Sequence, residues 1–343
     1  MDRKLRILLA SLLAIALLLL LIFSTGVLHR QDSWQEVRAG IPVISTRGLF
    51  HDGQALEAGN PDPYSMELPE GMADFWQEQP ADIIVIIHGF NNSAAKASVK
   101  FHIAEMSLRS CGYEGEIVGY SWDADTQKDP FGTTGYHEGR RNAVANGARL
   151  ASFVADCRER LPGTRIHLVG YSMGARLALE ALVAMEDEEL YPQAALQLDS
   201  VHLVGAAVDN EEVELRERYG RAIERHCGLL VNYYSAEDNA LGIFFPLKEA
   251  DRALGESDIE HPADAPANYI SIDVSDELIE YDRNGNEKAE HGDNHSGCLG
   301  NISEEGELLD DGIMDVILRE INGLADVPRG LSDPEIDQPV GLE

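Results

Sequence analysis

The sequence predicts an α/β fold with a mostly parallel central sheet and helices on both of its faces. Three observations carry this. Short apolar runs recur at 83–87, 117–120, 166–169, 201–208, 229–234 and 269–274. Longer stretches with helical spacing lie between them, and neither an internal repeat nor a linker splits the chain into comparable halves. A run that is apolar at consecutive positions suits a strand covered by helices on both sides.

Taken in order, 1–30 is an amino-terminal hydrophobic segment. Residues 7–28 include no charged side chain, and 22 residues at about 1.5 Å each reach across a hydrocarbon core of roughly 30 Å. A cleaved signal segment is the other reading, with Ser24, Thr25 and Gly26 as small residues near a cut, but its apolar part is usually about 7 to 15 residues. The length favours an uncleaved anchor. Arg3, Lys4 and Arg6 precede the run, which puts the amino terminus in the cytoplasm and the folded part outside, or secreted if the segment is cleaved.

Residues 31–80 read as a polar connector with an early strand, and 81–323 as the main domain. Val144, Gly147, Ala148, Ala151, Val154 and Ala155 share a helical face, 173–185 is a Leu/Ala-rich buried helix, and 212–227 is a more polar, solvent-facing stretch. Ile313, Val316, Ile317 and Ile321 mark a last helix. The tail 324–343, acidic and interrupted by Pro328, Pro334 and Pro339, has the composition of a disordered segment.

The formal net charge is −33, from 60 Asp plus Glu against 27 Lys plus Arg, of which 6 are Lys. No basic surface is available to neutralise phosphates, so nucleic acid is excluded as a partner. Scarce lysine with abundant carboxylate is the composition of proteins that work in concentrated salt, where self-repulsion is screened. An ordinary acidic surface is the alternative. Cys111, Cys157, Cys227 and Cys298 lack zinc-site spacing. A Cys111–Cys157 disulfide is open to an exported domain, both falling late in expected helices. The stretch from Asp282 to Asp293 has part of a calcium-loop spacing, but Glu287 stands where the loop needs glycine, so it reads as a turn. No metal or cofactor is expected.

The chemistry-bearing stretch is Gly170-Tyr171-Ser172-Met173-Gly174, placed where the run at 166–169 turns directly into a helix. A serine on so tight a turn takes a strained backbone and lifts its hydroxyl above the sheet, while Gly170 and Gly174 remove side chains that would collide with it. An ordinary turn serine is the alternative, and the strand-to-helix context disfavours it. A second motif, His88-Gly89-Phe90-Asn91-Asn92, follows the run at 83–87.

These two motifs, with the strand order around them, resemble the α/β-hydrolase superfamily over about residues 80–322. The phrases HGFNN and SAEDNAL (235–241) are similar to a branch of unknown function. The resemblance implies an α/β-hydrolase fold and a Ser, acid, His triad in that chain order, without implying a substrate. It gives the oxyanion hole to the N–H groups of Phe90 and Met173, with His88 bracing the loop. The acid follows a late strand: Asp238 matches the family position, Asp209 is the alternative after the preceding strand, and Glu237 is a solvated neighbour. The histidine must follow the last strand, leaving His291 and His295; His295 sits nearer the final helix and among small residues.

The expected activity is hydrolysis of an ester or related acyl bond of a small-molecule or lipid-like substrate through an acyl-enzyme. Transfer to an acceptor other than water, by the same residues, is a second reading. A non-catalytic binding module at the cell surface is a third, which a lost triad member would have favoured. The cap has room for about one helix, and Trp122 and residues 240–247 are candidates to line an acyl pocket.

Overall fold

A computed structural model describes residues 39–56, 62–126, 133–187, 189–191, 196–279, 281 and 295–325. Eight strands form the central sheet: β1 (Val43–Ser45), β2 (Ser65–Glu67), β3 (Asp82–Ile87), β4 (Glu116–Ser121), β5 (Arg165–Tyr171), β6 (Leu198–Val204), β7 (Cys227–Tyr234) and β8 (Tyr269–Asp273). Their spatial order is β8-β7-β6-β5-β3-β4-β1-β2. Only β1 and β2 pair antiparallel. The chain runs from β3 outward to β4, then returns to the other side of β3 as β5. That reversal opens a crevice beyond the carboxyl ends of β3 and β5, where open α/β sheets bind ligands.

The main helices are α1 (Ala94–Ser110), α2 (Thr133–Arg160), α3 (Met173–Ala184), α4 (Gly220–His226) and α5 (Met314–Ala325). In β3, Ile83, Val85 and Ile87 join the core beneath α2, α3 and α4, whereas Ile84 and Ile86 join the core beneath α1 and α5. This two-sided burial explains the unbroken apolar run at 83–87. Ile313, Val316, Ile317 and Ile321, read from the sequence as one face of the last helix, are all buried.

Several expectations change in detail. The sheet starts before the first apolar run: within the 31–80 stretch read as a connector with an early strand, the short β1 and β2 extend it at one edge. The run at 201–208 is a strand only to Val204. Gly205 then takes φ +50, and the chain turns to bond residues 254 and 255, with Leu254 N–H donating to the Val208 carbonyl at 2.8 Å and Gly255 N–H to that of Ala206 at 3.1 Å. The stretch 212–227 is helical only over α4, and it buries Val213, Tyr219, Ala222 and Ile223 rather than facing solvent.

The four cysteines are free. Cys157 lies in the core on the α2 side of the sheet and Cys111 packs against the core on the α1 side. The sheet therefore separates the pair considered for a disulfide, which needs Cα atoms within about 7 Å. Among the described residues no helix is long and apolar enough to cross a membrane. The expected anchor at 1–30, the tail beyond residue 325, the 282–293 stretch and His291 lie outside the described residues.

Candidate active site

Ser172 joins β5 to α3 with φ 56 and ψ −122, a conformation that costs an L-residue of order 1–3 kcal/mol and persists only where packing fixes it. The surroundings are tight. A Cβ on Gly174 would lie 2.4 Å from the Ile87 carbonyl oxygen, and one on Gly170 2.7 Å from the Ala175 Cα. The serine backbone is also held by hydrogen bonds: its N–H donates to the Val204 carbonyl at 2.9 Å, and its own carbonyl accepts from Ala175 and Ala207.

His295 reaches this turn from the segment before α5. Its Nε2 is 3.0 Å from the Ser172 Oγ and its Nδ1 is 2.7 Å from the Asp238 Oδ2. In the tautomer these contacts require, Nδ1–H donates to the carboxylate and Nε2 accepts from the hydroxyl. Asp238 follows β7 and is buried, and its second oxygen accepts from the Leu241 N–H at 2.9 Å. The structure thus brings together Ser172, His295 and Asp238. Glu237, adjacent, is exposed.

Asp209 lies elsewhere. Its carboxylate is 4.0 Å from Arg176 Nη2, and burial beside Glu212 pushes its pKa up to about 6.

The loop after β3 carries Phe90. Met173 is the first residue of α3, where a helix N–H has no intrahelical acceptor, and among the described residues neither the Phe90 nor the Met173 N–H donates to a backbone carbonyl. Asn91, at φ 59, instead gives its N–H to the Ala124 carbonyl at 2.9 Å. The Asn92 side chain ties the carbonyls of Gly89 and Phe90, leaving the cap of α1 to Ser93, whose hydroxyl accepts from the Lys96 N–H.

His88 is fully buried. Its Nδ1 meets the Gly89 carbonyl, its Nε2 accepts from the Trp122 N–H, and its ring stacks on Trp122 at 5.6 Å. Burial, with the Arg47 charge beside it, depresses its pKa to about 3, so it stays neutral and braces the loop. Trp122 is likewise fully buried behind the loop, with its indole N–H on the His88 carbonyl, and packs in the core. In residues 240–247, Leu241 and Phe245 pack inward against Ala207 and Ala253, while Ile243 and Leu247 are exposed.

Two contributors escaped the sequence. Arg47, just after β1, donates to the Asn92 carbonyl at 2.8 Å, sits 3.2 Å from His88 Nε2, and is anchored on Ser121 and Asp125. An arginine 41 residues before His88 carries no local signal of this role. Tyr171, inside the motif itself, donates its hydroxyl to the His295 carbonyl at 2.9 Å.

Acid sensitivity follows from the buried imidazoles. His88 and His202, both fully buried, have folded-state pKa values depressed to about 3, chiefly by burial. The unfolded chain, with histidines near 6.5, binds more protons below that pH. Stability contributed by the neutral rings is full above about pH 6.5 and is lost as pH falls toward 3, at about 1.4 kcal/mol per pH unit for each. Urea unfolding at pH 7.5 and 5.5 should give a lower free energy at 5.5, by about 2 kcal/mol once the opposing shift of Asp209, raised to about 6, is included. A free energy constant over that range contradicts the buried neutral state.

Comparison with curated proteins finds no match. Among solved structures the chain is similar to an acetylxylan esterase, at 16% identity over 72% of this chain and 97% of that one with a TM-score of 0.34. It is also similar to a cutinase-like protein from Cryptococcus sp., at 13% identity over 71% and 94% with a TM-score of 0.30. Alpha/beta hydrolase domain-containing protein 10 from mouse matches at 14% identity over 71% and 89% with a TM-score of 0.32. Residues 69–277, more than half of the 343, match the family described as alpha/beta hydrolase of unknown function. With its parallel sheet, its strained serine turn and this match, the chain belongs to that alpha/beta hydrolase family.

Proposed function

We propose that this protein is a serine hydrolase that cleaves an ester or related acyl bond through an acyl-enzyme. The observation that carries the reading is the unbroken chain of contacts from Asp238 through His295 to Ser172, on a serine whose backbone is strained toward the open end of the sheet.

In this reading the Ser172 Oγ attacks the acyl carbon as its proton passes to His295 Nε2, and Asp238 holds the resulting imidazolium. The oxyanion accepts from the Phe90 and Met173 N–H groups. The bond to the alcohol oxygen breaks, and His295 returns the proton to it. Water then attacks the acyl-serine, giving its proton to His295, and the carboxylic acid leaves as Ser172 regains its hydrogen. The 1–30 segment would tether this chemistry to a membrane.

The test is acid-quenched mass spectrometry of the protein mixed with p-nitrophenyl acetate. The reading expects p-nitrophenol release and an acetyl group on the peptide containing Ser172. Absence of both, or acetylation confined to other peptides, overturns it.

Arg47 acts on this chemistry through the loop alone. Arg47→Ala should lower kcat by about 10- to 100-fold with KM little changed, because it loosens the segment bearing the Phe90 donor. Arg47→Lys should recover only part of the loss, since one ammonium cannot span the carbonyl, hydroxyl and carboxylate that the guanidinium joins. Steady-state kinetics checks both, and a change confined to KM contradicts the positioning role.

A further inference from the structure

The triad histidine is carried by neither a strand nor a helix. Ser172 stands at the junction of β5 and α3 and Asp238 just beyond β7, whereas His295 lies on an irregular segment before α5. An imidazole on such a segment can work as a base only if neighbouring groups fix it. Tyr171, the last residue of β5, donates its hydroxyl to the His295 carbonyl at 2.9 Å, and its ring lies beside the imidazole with centroids 5.2 Å apart. From α1, Lys100 donates to the Ser296 carbonyl at 3.4 Å and holds its ammonium 5.5 Å from the centre of the Tyr171 ring, within reach of a cation–π contact.

The tyrosine is itself a firm support. It is buried, and its strand is paired on both sides within the sheet, so its side chain is held by close packing. Cys298 and Leu299 anchor the histidine-bearing segment in the core with α1 and α5.

Tyr171 and Ser172 are successive residues, so the two grip His295 at opposite ends, one at its backbone carbonyl and the other at Nε2. The two holds differ in time. Before attack the Ser172 hydroxyl is hydrogen-bonded to Nε2. Once its oxygen is bonded to the acyl carbon and its proton has passed to the imidazole, that hold is weakened. Asp238 and Tyr171 then keep the imidazolium in place while Nε2–H faces the alcohol oxygen. The proton goes to that oxygen as its bond to the acyl carbon breaks and the oxygen keeps the electron pair.

Resting on the hydrolase reading above, we propose that Tyr171, steadied by Lys100, is the positioning residue for His295, and that its hold matters most for the proton returned to the leaving alcohol.

The experiment compares kcat/KM of the full chain on ethyl acetate and on p-nitrophenyl acetate, which share an acyl group. The p-nitrophenolate ion leaves readily without a proton, whereas ethoxide needs one from His295. Tyr171→Phe keeps the ring and removes the hydroxyl. It should lower kcat/KM about 10- to 50-fold on ethyl acetate and about 5-fold or less on p-nitrophenyl acetate. Lys100→Met is the second variant, so that the outcome does not depend on one substitution folding, and it should move the ratio of the two values in the same direction by about 2- to 5-fold. A merely structural loss lowers the amount of active protein, and with it both values alike. A ratio unmoved in Tyr171→Phe therefore overturns the positioning role, as does one unmoved in Lys100→Met should the first variant not fold. If the wild type cleaves neither ester, the hydrolase reading itself has failed and the positioning role falls with it.

Discussion

Asp238→Asn should lower kcat by about 10⁴-fold while the protein stays folded, the size of loss found when a triad carboxylate becomes an amide. The carboxylate is buried, and its Oδ2 is the acceptor for His295 Nδ1–H. An amide that turns its NH₂ toward that nitrogen stabilises the opposite tautomer, placing a hydrogen on Nε2 where the Ser172 proton must go. It also removes the charge that offsets the imidazolium. The neighbouring Glu237→Gln, on an exposed side chain, gives the control and should behave as wild type. Steady-state kinetics of the two variants, with circular dichroism to verify folding, separates them. Equal activities would place the acid elsewhere.

Gly174→Val should have the second large effect. A Cβ there would sit 2.4 Å from the Ile87 carbonyl oxygen and 2.8 Å from that of His88, both backbone atoms at the end of a central strand. Neither can yield without moving β3 or α3, so the variant should lose about 3 kcal/mol or more of stability. It should also lose activity in whatever folded fraction survives, because displacing α3 moves Ser172 and the Met173 N–H together. Denaturant unfolding and esterase assay on the same sample check this. A wild-type midpoint would show that the turn is less tight than its distances indicate.

How much was legible in the sequence follows from how local each feature is. Five of the six long strands could be read because burial on both faces keeps their runs largely apolar, with His167, His202 and Asn232 buried among them, whereas β8, with Ser271 and Asp273 in its run, is largely exposed. The serine turn could be read because its motif is contiguous in sequence, although only Gly170 is required by a contact inside it and Gly174 is required by the Ile87 carbonyl of β3. Asp238 and His295 needed the family resemblance, since 66 and 123 residues separate them from Ser172 and only the fold brings them within hydrogen-bond reach. The match over 69–277 ends before His295, and the histidine comes to the site on the segment that leads into α5. Arg47 was not legible at all. It follows β1, a three-residue strand without pattern that lies between β4 and the edge strand β2, and its guanidinium reaches across β4 to Asn92 and His88. Asp209 was considered as the acid from its place after a strand, but the turn at Gly205 directs its carboxylate toward Arg176 instead.

The most direct test of the central claim is fluorophosphonate labelling of the full chain in detergent, at low and at molar KCl, with Ser172→Ala beside the wild type. An activated serine predicts one label per wild-type molecule on the Ser172 peptide and none in the variant. A folded wild type that takes no label at either salt concentration, or a variant that labels as well as the wild type, would contradict the account and reduce Ser172 to a residue of the turn.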